Sequence, residues 1–141
     1  MATTAINIQF NKAITVAQLR TWFAYDKTTG ILTRKHRHKS EFARPCRYTI
    51  WANQVGAPIA GKTPDGYVRI IINHEHYYVH RLIWLYVTGT WPASGYVVDH
   101  INGVRDDNKQ SNLRLLPSGL NSQRSVSNWA NEQAKLKEIK L

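Results

Sequence analysis

Short apolar runs alternate with polar turn clusters along the whole chain, and the longest uninterrupted run is Leu82 to Val87. Spacing of this kind predicts short helices and hairpins, with no segment long enough to span a bilayer. Thr15-Val-Ala-Gln18 reads as a capping box, a hydroxyl and an amide three residues apart, opening a helix to about Tyr25. Asp26-Lys-Thr-Thr-Gly30 is a turn, and Ile31-Leu-Thr33 begins a strand. The Gly61–Gly66 cluster precedes a β-branched strand, Tyr67 to Asn73, and Asn73–His76 turns it back into Tyr77–Val79 as a hairpin. Alternation puts Val68, Ile70 and Ile72 on the core face and leaves Tyr67, Arg69 and Ile71 on the other.

His80 to Val87 reads as a helix closed by Thr88-Gly89, with Leu82, Trp84, Leu85 and Val87 as core. Tyr96 to His100 is a strand, Ile101 to Ser111 a polar loop, and Asn112 to Leu116 a return strand. Pro117-Ser118 can start a further helix with Asn121 in its first turn. The tail, Asn128 to Leu141, is amphipathic and helical in composition. The expected fold class is α+β, divided into an N-terminal helix, strand and basic arm (1–55), a hairpin–helix region (56–95), a ββα unit (96–127) and the tail (128–141).

Composition adds a partner to this picture. The 141 residues are 43% hydrophobic with five Trp and seven Tyr, enough to fill one core. Nineteen Lys and Arg against nine Asp and Glu give a net charge of +10. Such a surplus favours a polyanion, because each phosphate neutralised releases a counterion; a generic basic protein is the alternative on charge alone. Much of it falls between Arg34 and Tyr48, read as an exposed arm without period, where Arg34, Lys35, Arg37, Lys39, Arg44 and Arg47 are candidates for phosphate contacts. Cys46 is the sole cysteine, which excludes an internal disulfide and a Cys-based zinc site and agrees with a reducing cytosol. The first twenty residues lack a basic stretch followed by an apolar run, so no secretory signal is expected and the reading is intracellular, with no membrane partner.

The last third carries the chemistry. Asp99 ends one strand, and Asn121 would lie on the helix packed over it, so a carboxylate and an amide oxygen converge as ligands suited to a hard cation. His100 faces the other way by alternation, yet sits at the strand end where a neutral imidazole can act as a base near pH 7. Asn112, on the facing strand, is placed to hydrogen-bond across the hairpin and orient His100. His36, His38, His74 and His76 show no ligand spacing.

The segment DHINGVRDDNKQSNLRLLPSGLNSQ resembles the HNH (ββα-metal) endonucleases, especially their phage and intron-encoded homing-type branch. LRTWFAYDKTTGILTRK and GAPIAGKTPDGYVRIIINHEHYYVHRLIWLYVTGTWP are similar to segments that precede the nuclease unit in phage members. The resemblance implies that Asp99 and Asn121 bind one divalent metal, Mg²⁺ or alternatively Mn²⁺. It implies that His100 takes a proton from the attacking water, that Asn112 orients it, and that the products carry 5′-phosphate and 3′-hydroxyl ends. The family name has histidine at the last position where this chain has Asn121, a weaker ligand for soft ions and a reasonable one for Mg²⁺.

Double-stranded DNA is the implied partner, with Arg69 available to a groove or backbone and Arg105, Lys109 and Arg114 as further phosphate candidates. His80 is a candidate for DNA contact, for bracing the site, or for capping the helix. A monomer would nick and a homodimer could cut both strands. If phage-encoded, the protein would work in the cytoplasm of a bacterial host. The competing readings are a DNA-binding protein with an inactive nuclease site and a structure-selective or RNA-directed nuclease.

Overall fold

A computed structural model describes residues 13–118. Asn121 and the tail from Asn128 to Leu141 lie outside the described residues. Within them are three helices, α1 (Val16–Trp22), α2 (Pro45–Ala52) and α3 (Val79–Thr88). They accompany three antiparallel ribbons, β1–β2 (Phe23–Asp26 with Ile31–Arg34), β3–β4 (Arg69–Ile72 with Glu75–Tyr78) and β5–β6 (Tyr96–His100 with Leu113–Pro117). This is a mixed α and β fold of small antiparallel sheets.

The capping box forms as expected: the Thr15 side chain accepts from the Gln18 N–H, and the Gln18 side chain accepts from the Thr15 N–H. The helix stops at Trp22 rather than near Tyr25. Phe23 turns extended and is fully buried, and Phe23 to Asp26 pair with Ile31 to Arg34. Tertiary burial of one aromatic side chain thus outweighs the weak propensity to continue a short helix. Asp26 closes the turn by accepting from Thr28 and Thr29, and Gly30 takes a φ of +75°.

The Arg34–Tyr48 stretch is not a free arm. It forms a 3₁₀ turn, Lys39–Glu41, and runs into α2. Its anchor is Arg37, 7% exposed, whose guanidinium lies 3.8 Å from the centre of the Trp22 ring, 4.3 Å from Phe42 and 4.8 Å from Trp51. Arg37 Nε is 3.5 Å from Glu41 Oε1, close enough for an ion pair and without a hydrogen bond of its own.

β3 alternates as read, with Ile70 and Ile72 buried and Arg69 and Ile71 exposed. Asn73 and His74 take positive φ of 50° and 68°, giving the tight turn a twist that matches the ribbon. α3 starts at Val79, buries Leu82, Ile83, Trp84 and Leu85, and ends on Gly89 in the left-handed region, whose N–H donates to the Leu85 carbonyl. One apolar core draws on all three ribbons, including Leu19, Phe23, Leu32, Ile70, Leu82 and Leu113. No helix among the described residues is long and apolar enough to cross a membrane.

Candidate active site

The β5–β6 ribbon sets the two strand-end residues on opposite faces. Val98 and His100 point into the body, and Asp99 points away, opposite Arg114 in register. Arg114 Nε donates to Asp99 Oδ2 at 3.0 Å, and about a third of the Asp99 side chain stays exposed. Arg114, expected at a phosphate, therefore meets the carboxylate expected to hold the cation.

His100 is buried, and its Nε2 lies 2.8 Å from Oδ1 of Asn108, which is only 3% exposed. An amide oxygen only accepts, so Nε2 is the donor in this bond. Among the described residues, the sealed-off side-chain nitrogens lacking a partner belong to Arg37 and His80. No hydrogen bond to Nδ1 of His100 occurs among the described residues. An imidazole held at one nitrogen by a fixed partner is an arrangement that suits a general base.

The direct link from Asn112 to His100 is corrected by the geometry. Asn112 lies on the 3₁₀ turn before β6 and clamps the loop instead. Its Oδ1 accepts from the Asn102 N–H at 3.0 Å, and its Nδ2 donates to Asn102 Oδ1 at 2.9 Å and to the Asp107 carbonyl at 2.7 Å. It thereby shapes the loop that carries Asn108 and acts on His100 at one remove. Asn108 was not picked out in the sequence; its signal there is slight, an Asn four positions before Asn112 in a loop already rich in turn residues.

Behind His100 stands His80, at the start of α3, 7% exposed and with Nδ1 unpartnered. The two rings meet edge to face at 4.9 Å, and Tyr67 lies against both, at 5.3 Å from His80 and 6.0 Å from His100. Burial, then the positive charge of His100 and Arg81, pushes the His80 imidazole down to about 3. It is a neutral wall of the site, not a surface contact for DNA.

The loop after His100 is tied to the turn at 61–67. Lys62 pairs with Asp106 at 2.6 Å, and Arg105 Nη1 donates to the Asp65 carbonyl at 2.7 Å while its guanidinium sits 5.0 Å over the Tyr67 ring. Lys62 accordingly holds the Asp106 carboxyl below its usual range. Arg105 is thus engaged within the protein.

Of the other cations expected at DNA, Lys35, Lys39, Arg44, Arg47, Arg69 and Lys109 are exposed, and Lys35 Nζ also donates to the Arg20 carbonyl. Arg37 is removed from that set by its aromatic cage. Arg34 is half-buried, 5.5 Å over Trp51. With Lys62 and Arg69 it lines a groove of about 560 Å³ whose floor includes Ile59 and Ile70.

No cluster of three His, Cys, Asp or Glu suited to a metal occurs among the described residues. Among the described candidate ligands the donor is the partly exposed carboxylate of Asp99, whose Oδ2 accepts from Arg114. One such oxygen fits a hard cation that retains most of its water.

Residues 77–123 match the family model described as HNH endonuclease. No curated protein matches. A solved structure described as "DNA binding and cleavage by the HNH homing endonuclease I-HmuI" is similar at 22% identity and a TM-score of 0.48, covering 84% of this chain and 65% of that one. This chain thus spans a little under two thirds of that protein. Residues 77–123, which hold Asp99, His100, Asn108 and Asn112, are thus the part of the chain that is similar to the HNH endonuclease family.

Proposed function

We propose that this protein is a metal-dependent DNA endonuclease of the homing type, cutting at chosen sites and nicking one strand per binding event. The observation that carries the reading is His100: a buried imidazole inside the HNH segment, held at Nε2 by Asn108, next to a partly exposed carboxylate. Asp99, together with Asn121, would hold one divalent cation, Mg²⁺ or Mn²⁺. That cation, when bound, supplies Lewis-acid neutralisation of charge on the scissile phosphate and leaving oxygen.

The chain's own residues account for the rest. Nδ1 of His100 accepts a proton from water as the water oxygen bonds to phosphorus. The bond to the 3′-oxygen breaks, leaving a 5′-phosphate and, once solvent protonates the leaving oxygen, a 3′-hydroxyl. Asn108 keeps Nε2–H in place so that the lone pair stays at Nδ1, and Asn112 keeps the loop that presents Asn108. Exposed Lys39, Arg44, Arg47, Arg69 and Lys109 are the proposed contacts to the phosphates of double-stranded DNA, adding affinity without sequence information.

One observation favours a second reading, a DNA-binding protein with an inert site: Arg114 already neutralises Asp99. A supercoiled plasmid assay with Mg²⁺, Mn²⁺ or EDTA, run beside His100→Ala, separates the two. Metal-dependent nicked product lost in the variant supports the nuclease. Binding without cleavage, on random sequence and on the cognate target alike, supports the inert site.

A further inference from the structure

The loop that carries Asn108 is gripped from the N-terminal ribbon, 83 positions earlier in the chain for its principal contact. The Tyr25 hydroxyl donates to the Asn108 carbonyl at 2.7 Å. The Gln110 N–H donates to the Lys27 carbonyl at 3.3 Å. Gly30 packs so closely that a Cβ there would overlap the backbone of Asn108 and Lys109, and its φ of +75° is itself one that a side chain disfavours. On the opposite side the same loop is held by the Lys62–Asp106 pair and the Arg105 contact. Those groups are exposed, and exposed ion pairs contribute little; the half-buried hydroxyl and the glycine seat are the stronger grip.

We propose that Tyr25 is a positioning residue for His100, acting through Asn108. The path is continuous: Tyr25 hydroxyl to Asn108 carbonyl at 2.7 Å, and Asn108 Oδ1 to His100 Nε2 at 2.8 Å. Tyr25 itself is fixed by its ring, which meets Tyr86 of α3 edge to face at 6.0 Å. Burial, then Asp26 and Asp107, raises its phenol well above the usual range, so the hydroxyl remains a donor throughout the pH range in which the protein works. The N-terminal ribbon is then part of the hydrolytic unit. This rests on His100 being the general base.

The test compares wild type, Tyr25→Phe, Asn108→Ala and the double variant on supercoiled plasmid with Mg²⁺, alongside NMR of the ¹⁵N-histidine-labelled protein. Loss of one hydrogen bond of this type predicts a fall in kcat of about tenfold for Tyr25→Phe, with KM within about twofold. In the Asn108→Ala background the same change lowers kcat no further. The His100 ring passes from a single Nε2–H tautomer to a mixture. Additive losses, or unchanged His100 resonances in Tyr25→Phe, overturn the proposal.

If wild type does not cut, the nuclease reading falls while the tautomer comparison still decides the coupling. Should Tyr25→Phe fail to fold, the wild type carries the test. A slowly exchanging Tyr25 hydroxyl proton with a cross-peak to Asn108 is required, and its absence overturns the proposal.

Discussion

At the scale of single residues, the site shows where a sequence stops being informative. Asp99, His100 and Asn112 are candidates in the sequence because their types and spacing form a pattern within a ribbon that local alternation predicts, although Asn112 bonds Asn102 and Asp107 rather than His100. Asn108 is not, because its role depends on a loop path that no periodicity encodes. His80 was ambiguous among DNA contact, brace and cap until its burial against His100 was known. That burial has a measurable consequence. Unfolded, His80 takes up a proton below about pH 6.5; folded, it does so only near 3. Across that window acidification favours the unfolded chain, and above it this contribution to stability is fully present and flat. The slope from one such group is about 1.4 kcal/mol per pH unit at its steepest. Urea unfolding between pH 7 and 4 should therefore show a shallower loss in His80→Phe, which keeps a ring and cannot titrate. Equal slopes in the two proteins would mean that His80 is not held neutral.

At the scale of elements, the β3–β4 and β5–β6 hairpins and α3 were legible, while β1 and the Arg34–Tyr48 stretch were not. Gly30, Asn73-His74 and Gly89 mark their turns by residue type, since each needs a left-handed backbone. The basic stretch carries no such mark: six cations in a short window look like a solvated arm. Its order comes from Trp22 and Trp51, distant residues whose rings enclose Arg37. Charge alone could not separate Arg37, a structural cation, from Arg44 and Arg47, which are exposed. The two kinds should part experimentally. Arg37→Ala empties a desolvated cage and should cost about 2–4 kcal/mol of stability, leaving the salt dependence of DNA binding unchanged. Arg44→Ala, at the surface, should leave stability within about 0.5 kcal/mol and reduce the slope of log K against log salt by about 0.9 if it neutralises one phosphate. Thermal melts and binding titrations at several salt concentrations read both. A slope lowered by Arg37→Ala would place its guanidinium at DNA after all.

At the scale of the whole molecule, the division into successive segments read from the sequence meets a core that, among the described residues, crosses the boundaries at 55/56 and 95/96. Leu19, Phe23 and Leu32 come from the first segment, Val68, Ile70, Ile72 and the α3 residues from the second, and Val98 and Leu113 from the β5–β6 ribbon. Turn clusters and glycines show where elements end but are silent on which elements share an interior, so this unity had to come from packing. Its energetic meaning follows from burial. Removing residues before 56 would strip the partners from one side of α3, and each large apolar side chain so exposed forfeits about 1.5–3 kcal/mol. A small domain's whole margin is only about 5–15 kcal/mol. The fragment 56–141, although it retains the entire HNH segment, should show no cooperative thermal transition and no metal-dependent nicking, whereas the full chain unfolds in one step by tryptophan fluorescence and far-UV dichroism together. A fragment that melted cooperatively and cut DNA would instead make the nuclease ribbon self-sufficient, and would remove Tyr25 and Gly30 from any part in presenting His100.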